Sequence, residues 1–285
     1  MNCAVQILNH LAASPDYSEV IQAPNLPAVE RTESGIRPIL SVVLSHQDIR
    51  ETLSTFRSHS PSLGSVPVGK SGSFSFGMQN LGRYKVLYLT QRGTGAVAIR
   101  KIPVTIPDVM SMMDGTQGVQ TLDELFSARR GGLILFVGPH AQRNSTLAYW
   151  LLKRVNERES RIVYILERNL SYLLRHDKSV VLQSELESDV DTMEEGIRNA
   201  CSLLPDLLYV REVRGRSEML AVLEAAEMNV LTIMDQTAMD ETLLLADIEA
   251  LLKDFYGNFR RLLRKIVKIL PLENGRMKVE LLDAG

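Results

Sequence analysis

Four short runs, LILFV (133–137), RIVYIL (161–166), DLLYV (206–210) and NVLTIM (229–234), are almost continuously apolar, and helical patterns lie between them. A strand that is apolar at both alternating sets of positions must be covered on both faces. Strands joined through helices pair in parallel, because the chain has to cross over before returning. Residues 121–285 are therefore predicted to form an α/β unit, a mostly parallel sheet between helices. Its helices are expected over 121–128, 144–158, 190–203, 216–227 and 241–262, with a further strand at 179–183. KIVKIL and RMKVELL close it as a hairpin, and the Asn-Gly pair of PLENG is the turn signal.

The chain before this reads differently. Residues 3–13 place Ala4, Ile7, Leu8 and Leu11 on one helical face, and Pro24, Pro27 and RTESG then break the pattern. A strand PILSVVLS leads to the helix HQDIRETLSTFRS, and the Ser-, Pro- and Gly-rich stretch 58–72 reads as a loop. SFSFGM, RYKVLYLT and GAVAIRKIP alternate and are separated by glycine-containing turns, which predicts an antiparallel sheet. The expected division is an antiparallel α+β domain over 1–105, a linker over 106–120 and the α/β core over 121–285. At 285 residues the chain is long enough for two cores.

Composition excludes several classes of function. A net charge of −2 supplies no global field toward nucleic acid or an anionic membrane. Cys3 and Cys201 have no metal or redox spacing, the five histidines have none either, and no metal is expected. No apolar run approaches the ~18 residues of a membrane span, and the first residues lack a basic segment of the signal-peptide kind. A cytoplasmic protein without an integral membrane segment is expected.

The stretch GGLILFVGPHAQRNSTLAYWLL (131–152) is a strand, a Gly-Pro turn and a helix, the setting of a phosphate-binding loop. Such a loop has the form G-x-x-x-x-G-K-[ST]: the glycines let backbone N–H groups curl around phosphate, and the lysine reaches the outer phosphates. Here Gly138 and the hydroxyl residue Ser145, followed by Thr146, fit that frame, but Arg143 and Asn144 stand where the second glycine and the lysine belong. A charged hydrogen bond contributes ~1.5–3 kcal/mol, and a Cβ in a glycine conformation costs about 1 kcal/mol. Together these amount to two or three decades of affinity. On these residues alone, an ordinary strand-turn-helix and a decayed nucleotide site both stay open.

Taken together, the segments resemble the secretion ATPase superfamily, most closely the PilT-type motors that retract type IV pili. RRGGLILFVGPHAQRNST is similar to the Walker A segment, RIVYILERNL to the acidic Asp box, LLPDLLYVREVRG to the Walker B strand, and EAAEMNVLTIMDQTA to the His box. The resemblance implies a PAS-like N-terminal domain followed by a RecA-like, P-loop-type core. It also implies that Arg83, Arg92 and Arg100 lie near a nucleotide, with Gly138, Arg143, Asn144, Ser145 and Thr146 as the vestigial loop and Glu167 and Glu212 as vestigial catalytic candidates. The departures fall in several motifs. Leu166 and Glu167 replace a pair of acids and Arg168 a proline; Arg211 replaces the glycine before Glu212; Asn229 and Gln236 occupy histidine positions. The family's C-terminal helices have no counterpart after the hairpin at 265–282, so a short C-terminal region is expected.

The functional expectation is a catalytically inactive PilT-like protein with no cofactor. It would be a cytoplasmic binding or regulatory subunit, peripheral at the inner membrane, of a type IV pilus or type II secretion-like system. Its expected partners are proteins of that assembly, among them an active motor ATPase or further copies of itself, and not nucleic acid. The alternatives are a divergent motor that binds ATP and magnesium, using Arg143 and Glu212, and a structural protein that reuses the fold in another pathway. Residues Pro139–Arg143 are expected to have lost a phosphate-sized nest, with Arg143 or His140 filling the space. Restoring the motif by R143G with N144K is then expected to strengthen nucleotide binding by ~2–4 kcal/mol.

Overall fold

A computed structural model of the chain describes residues 3–14, 19–32, 35–60, 71–79, 82–114, 119–127, 131–272 and 276–283. It divides into two compact units, Met1–Thr105 and Ile106–Gly285. Most of the loop expected at 58–72 and the Asn274-Gly275 turn lie outside the described residues.

The first unit runs α1 (Cys3–Ala13), β1 (Glu19–Gln22), β2 (Pro27–Thr32), β3 (Gly35–Val43), α2 (His46–Ser58), β4 (Ser71–Met78), β5 (Gly82–Gln91) and β6 (Thr94–Ile102). Its sheet has the order β3-β2-β1-β6-β5-β4, antiparallel throughout. The helices bury Ala4, Ile7, Leu8, Leu11, Ile49 and Phe56 in one core with Phe74, Phe76, Tyr84, Val86 and Ile99 of the sheet. A capping box starts α2: the Ser45 hydroxyl accepts from the Asp48 N–H, and the Asp48 carboxylate accepts from the Ser45 N–H. Arg92 and Gly93 are the two-residue turn between β5 and β6, with φ of 49° and 77°. Positive φ at both positions gives the turn handedness that matches the strand twist, and glycine makes the second of them free of Cβ strain.

The second unit contains α3 (Val109–Met112), α4 (Val119–Ser127), β7 (Gly132–Gly138), α5 (Ala141–Arg158), β8 (Ile162–Glu167), β9 (Val180–Glu185), α6 (Met193–Ser202), β10 (Leu207–Arg211), α7 (Arg216–Glu227), β11 (Leu231–Thr237), α8 (Glu241–Leu252), α9 (Tyr256–Leu262), β12 (Leu263–Pro271) and β13 (Met277–Asp283). The sheet order is β13-β12-β7-β11-β10-β8-β9, parallel except for the β12–β13 pair. β7 lies second from one edge of the parallel part and is buried at all seven residues, as a strand covered on both faces must be.

Three expectations are corrected. Part of the stretch expected as a linker is α3, whose Val109 is buried, and Met113 after it bridges to Met277. The helix expected over 241–262 is broken, because Lys253 adopts a left-handed φ of 52° and a 3₁₀ turn Lys253–Phe255 separates α8 from α9. The helix expected from 144 begins at Ala141, three residues earlier, and this change bears directly on the site.

Candidate functional site

The C-terminal ends of β7, β8, β10 and β11 meet the first turns of α5, where a parallel α/β sheet offers its binding crevice. Only Pro139 and His140 separate β7 from α5. The N–H groups of Arg143 and Asn144, which a phosphate nest would turn outward, both donate to the His140 carbonyl at 2.9 and 3.1 Å. Ser145 Oγ donates to the Gln142 carbonyl at 3.1 Å, and Thr146 Oγ1 to the same carbonyl at 2.7 Å.

Asn144 has no exposed surface. Its amide nitrogen donates to the carbonyls of Gly138 (3.2 Å) and Gln236 (3.1 Å), tying the end of β7 to the end of β11. The fit is tight: a Cβ on Gly138 would fall 2.5 Å from Asn144 Oδ1. The side chain filling the space is therefore Asn144, in the lysine position, not Arg143 or His140. Arg143 turns away and donates to the Arg276 carbonyl at 3.0 Å, while His140 is the N-cap of α5 and makes no side-chain capping bond. A short polar side chain on the inner face of α5 reaches the two strand-end carbonyls. A residue on its outer face cannot.

Beside Asn144 lies a buried ionic cluster centred on Arg211. Its guanidinium is 3.6 Å from Glu167, 3.3 Å from Glu212 and 3.5 Å from Asp235. Glu167 and Asp235 are fully buried, and the Arg211 side chain is mostly so. Glu167 accepts from Tyr149 Oη at 2.7 Å, Ser171 N at 2.8 Å and Ser171 Oγ at 2.7 Å. Asp235 Oδ2 accepts from Tyr209 Oη at 2.8 Å. Burial raises both carboxyls from their ordinary range against the opposing pull of Arg211, Asp235 to about 7. Burial works against the Arg211 cation, but Tyr209, Glu167 and Asp235 outweigh it and hold its pKa above the ordinary arginine value. Burial, with Glu167 and Asp235 respectively, raises the phenols of Tyr149 and Tyr209 well above their usual range.

Glu212 pairs with Arg214 at 2.9 Å as well as with Arg211, and its own backbone is left-handed at φ 57°. Arg168 Nε donates to the Glu212 carbonyl at 3.1 Å, and its guanidinium pairs with Glu218. Gln236 Nε2 donates to the Val213 carbonyl at 2.8 Å. Of the residues singled out in the sequence, the structure thus gathers Gly138, Asn144, Ser145, Thr146, Glu167, Arg168, Arg211, Glu212 and Gln236 at one end of this sheet. Asn229 is not among them: it precedes β11 at the opposite end, where its Oδ1 accepts from Gly131 N at 2.9 Å. Arg83 on β5, Arg92 in the hairpin turn and Arg100 on β6 belong to the first unit. Tyr149, Ser171, Tyr209 and Asp235 are members that sequence reasoning passed over. The readable signal was register: Arg211 and Asp235 end adjacent parallel strands and are direct ladder partners.

No protein-family model matches the chain. Among characterised proteins it is similar to the type IV pilus ATPase PilU of Pseudomonas aeruginosa, 23% identical over 202 residues, covering 71% of this chain and 51% of that one. It is also similar to the type IV pilus retraction ATPase PilT of the same organism, 24% identical over 217 residues, covering 76% and 61% respectively. This chain therefore matches only about half to three fifths of these relatives' length. A crystal structure of the pilus retraction motor PilT with bound ADP superimposes with a TM-score of 0.80 at 22% identity, covering 99% of this chain and 83% of that one. The architecture is an N-terminal domain followed by a RecA-like core of the ATPase type. In sequence the chain is similar to the PilT-type pilus ATPases, and in fold to the PilT motor.

Proposed function

We propose that this PilT-like protein does not hydrolyse ATP and serves as a cytoplasmic binding or regulatory subunit of a type IV pilus or secretion-like system. The observation that carries the reading is Asn144. The residue in the lysine position is turned inward and bonded to the Gly138 and Gln236 carbonyls, while the amides that would receive phosphate are committed to His140. Arg211 supports it, because the acids of the crevice already have a cation of the chain's own. Phosphoryl transfer depends on positioned charge, so a site without the lysine and without free loop amides lacks most of what such catalysis uses. The residues present do not fit a magnesium-nucleotide.

Calorimetric titration with magnesium-ATP, paired with a turnover assay, tests the first half of the proposal. No binding at micromolar concentration and no turnover above background are expected. Micromolar affinity, or a turnover abolished by E212Q, would establish the divergent-motor reading instead. Co-purification from the native host tests the second half. The expected partners are components of a pilus or secretion assembly, including an active ATPase of this superfamily or further copies of the chain. Recovery of an unrelated assembly would favour reuse of the fold elsewhere.

A further inference from the structure

Helix α2 and the hairpin β5–β6 of the first unit enclose a groove of about 550 Å³. Ile49, Leu53, Tyr88 and Val97 give it an apolar lining, and Gly95 and Ala96, with little or no side chain, keep the hairpin wall open. Residues three or four positions apart share a helical face, so His46, Arg50, Leu53 and Arg57 form one stripe of α2. The first three of these line the groove. Arg57, one turn further on, stacks its guanidinium over the ring of Tyr88, 4.8 Å from the centroid.

The two arginines of this stripe have no acid of their own chain. Arg57 Nε and Nη2 are buried without a hydrogen-bond partner, and Arg57 has no ion pair among the described residues. Arg50 Nη2 donates to a neutral acceptor, Gln47 Oε1, at 2.8 Å. The acids of α2 lie off the stripe and are engaged: Asp48 closes the capping box with Ser45, and Glu51 accepts from Gln47 Nε2 at 2.7 Å. Residues 82–102, the opposite wall, contain five Lys and Arg and no Asp or Glu. A guanidinium withdrawn from water without a counter-charge is unfavourable, and an anion in the groove would relieve it.

We infer that this groove binds an acidic peptide segment of a partner protein, with an apolar side chain resting on Leu53 and Tyr88 between carboxylates at Arg50 and Arg57. The two arginines are seven residues apart, about 10 Å along the helix axis, so one small carboxylate cannot neutralise both. Three residues of extended chain cover the same ~10 Å, which lets two acids bracket an apolar pair. The apolar lining is what a polyanion without apolar groups would leave unused. The inference gives the proposed binding role a surface and rests on that role, but not on the state of the crevice in the second unit.

Fluorescence anisotropy with the full chain is the test. The probe is a fluorescein-labelled peptide, EELFEE, with blocked ends; QQLFQQ removes its charge and EESSEE its apolar pair. Saturable binding of EELFEE is expected, weakened at least about tenfold by R50E and by R57Q and unchanged by E51Q. Both control peptides should bind at least about tenfold more weakly than EELFEE. No saturable binding of EELFEE, or binding that R50E leaves unchanged, would overturn the inference. So would octanoate binding that R50E abolishes while EELFEE does not bind, since the occupant would then be a small amphiphile. Should R57Q fail to fold, R50E decides alone, because Arg50 is exposed. Co-purification keeps the two claims apart. Assembly partners recovered equally with wild type and R50E would leave the binding role standing and overturn this surface. Recovery of no such partner, with R50E-sensitive EELFEE binding intact, would count against the role and not against the groove.

Discussion

Arg211 and Asp235 end two adjacent parallel strands as ladder partners, and Arg211 Nε lies 3.5 Å from Asp235 Oδ2. Strand register thus puts a cation among the acids of the crevice, on the same sheet that carries them.

Removing the cation should be costly. R211M leaves Glu167 buried with no counter-charge, and breaking one side of a buried ion pair destabilises by ~3–5 kcal/mol. Urea unfolding at pH 7 should show that loss, partly recovered at pH 5 as the carboxyl takes up a proton. R211K should restore only part of it, because an ammonium cannot span three acids as the planar guanidinium does. An R211M variant as stable as wild type would mean that the cluster contributes nothing.

Asn144 holds two strand ends together. N144A leaves the Gly138 and Gln236 carbonyls without their donor, at a cost of ~1–3 kcal/mol if no water replaces it. G138A should cost a similar ~1–3 kcal/mol, because its methyl would fall 2.5 Å from Asn144 Oδ1 and force the amide to move. The double variant should lose less than the sum, since truncating Asn144 relieves that clash, although the one with the Ile269 carbonyl at 2.7 Å stays. Additive losses in a urea series would count against the coupling.

Stability should depend on pH in two separate windows. The native carboxyl of Asp235 is raised to about 7, so the folded chain holds a proton that the unfolded chain releases above ~3.9. Its contribution is full below that value and is lost as pH rises toward about 7, with a slope of at most ~1.4 kcal/mol per pH unit. Asp123 acts oppositely: the Arg154 hydrogen bonds hold its carboxyl below the usual range, so its contribution is present at neutral pH and lost on acidification below ~3.9. D123N should flatten the acid limb alone and D235N the limb between about 4 and 7, as read from unfolding midpoints against pH.

Restoring the loop by itself should recover little nucleotide affinity. R143G with N144K supplies the glycine and the lysine, but the new ammonium must enter a crevice where Arg211 is 3.5 Å from Asp235. The double variant should gain less than about 1.4 kcal/mol, that is tenfold, in magnesium-ATP binding. Adding R211G exchanges one cation for the other and should raise affinity further. If the double variant alone gains ~2–4 kcal/mol, the contribution of the missing lysine hydrogen bond and glycine, Arg211 is no obstacle.

Much of the fold was legible in the chain because its signals are local. LILFV, RIVYIL, DLLYV and NVLTIM announced strands buried on both faces, and the structure has β7, β8, β10 and β11 there. That Arg143 and Asn144 depart from the G-x-x-x-x-G-K-[ST] pattern was equally plain, as was the acid Glu212 near two arginines. The early start of α5 was not, because the N–H groups of Arg143 and Asn144 could choose between a loop and the His140 carbonyl, and the helix took them. Nor did composition say that Asn144 would point inward while Arg143 pointed out, or that Tyr149, Tyr209 and Asp235, from three separate elements, would surround Arg211. Residue types and their periodicity determine which segments are strands and which side of each is apolar. Strand order and register decide which polar ends face one another, and they depend on contacts between residues far apart in the chain, 92 positions in the case of Asn144 with Gln236.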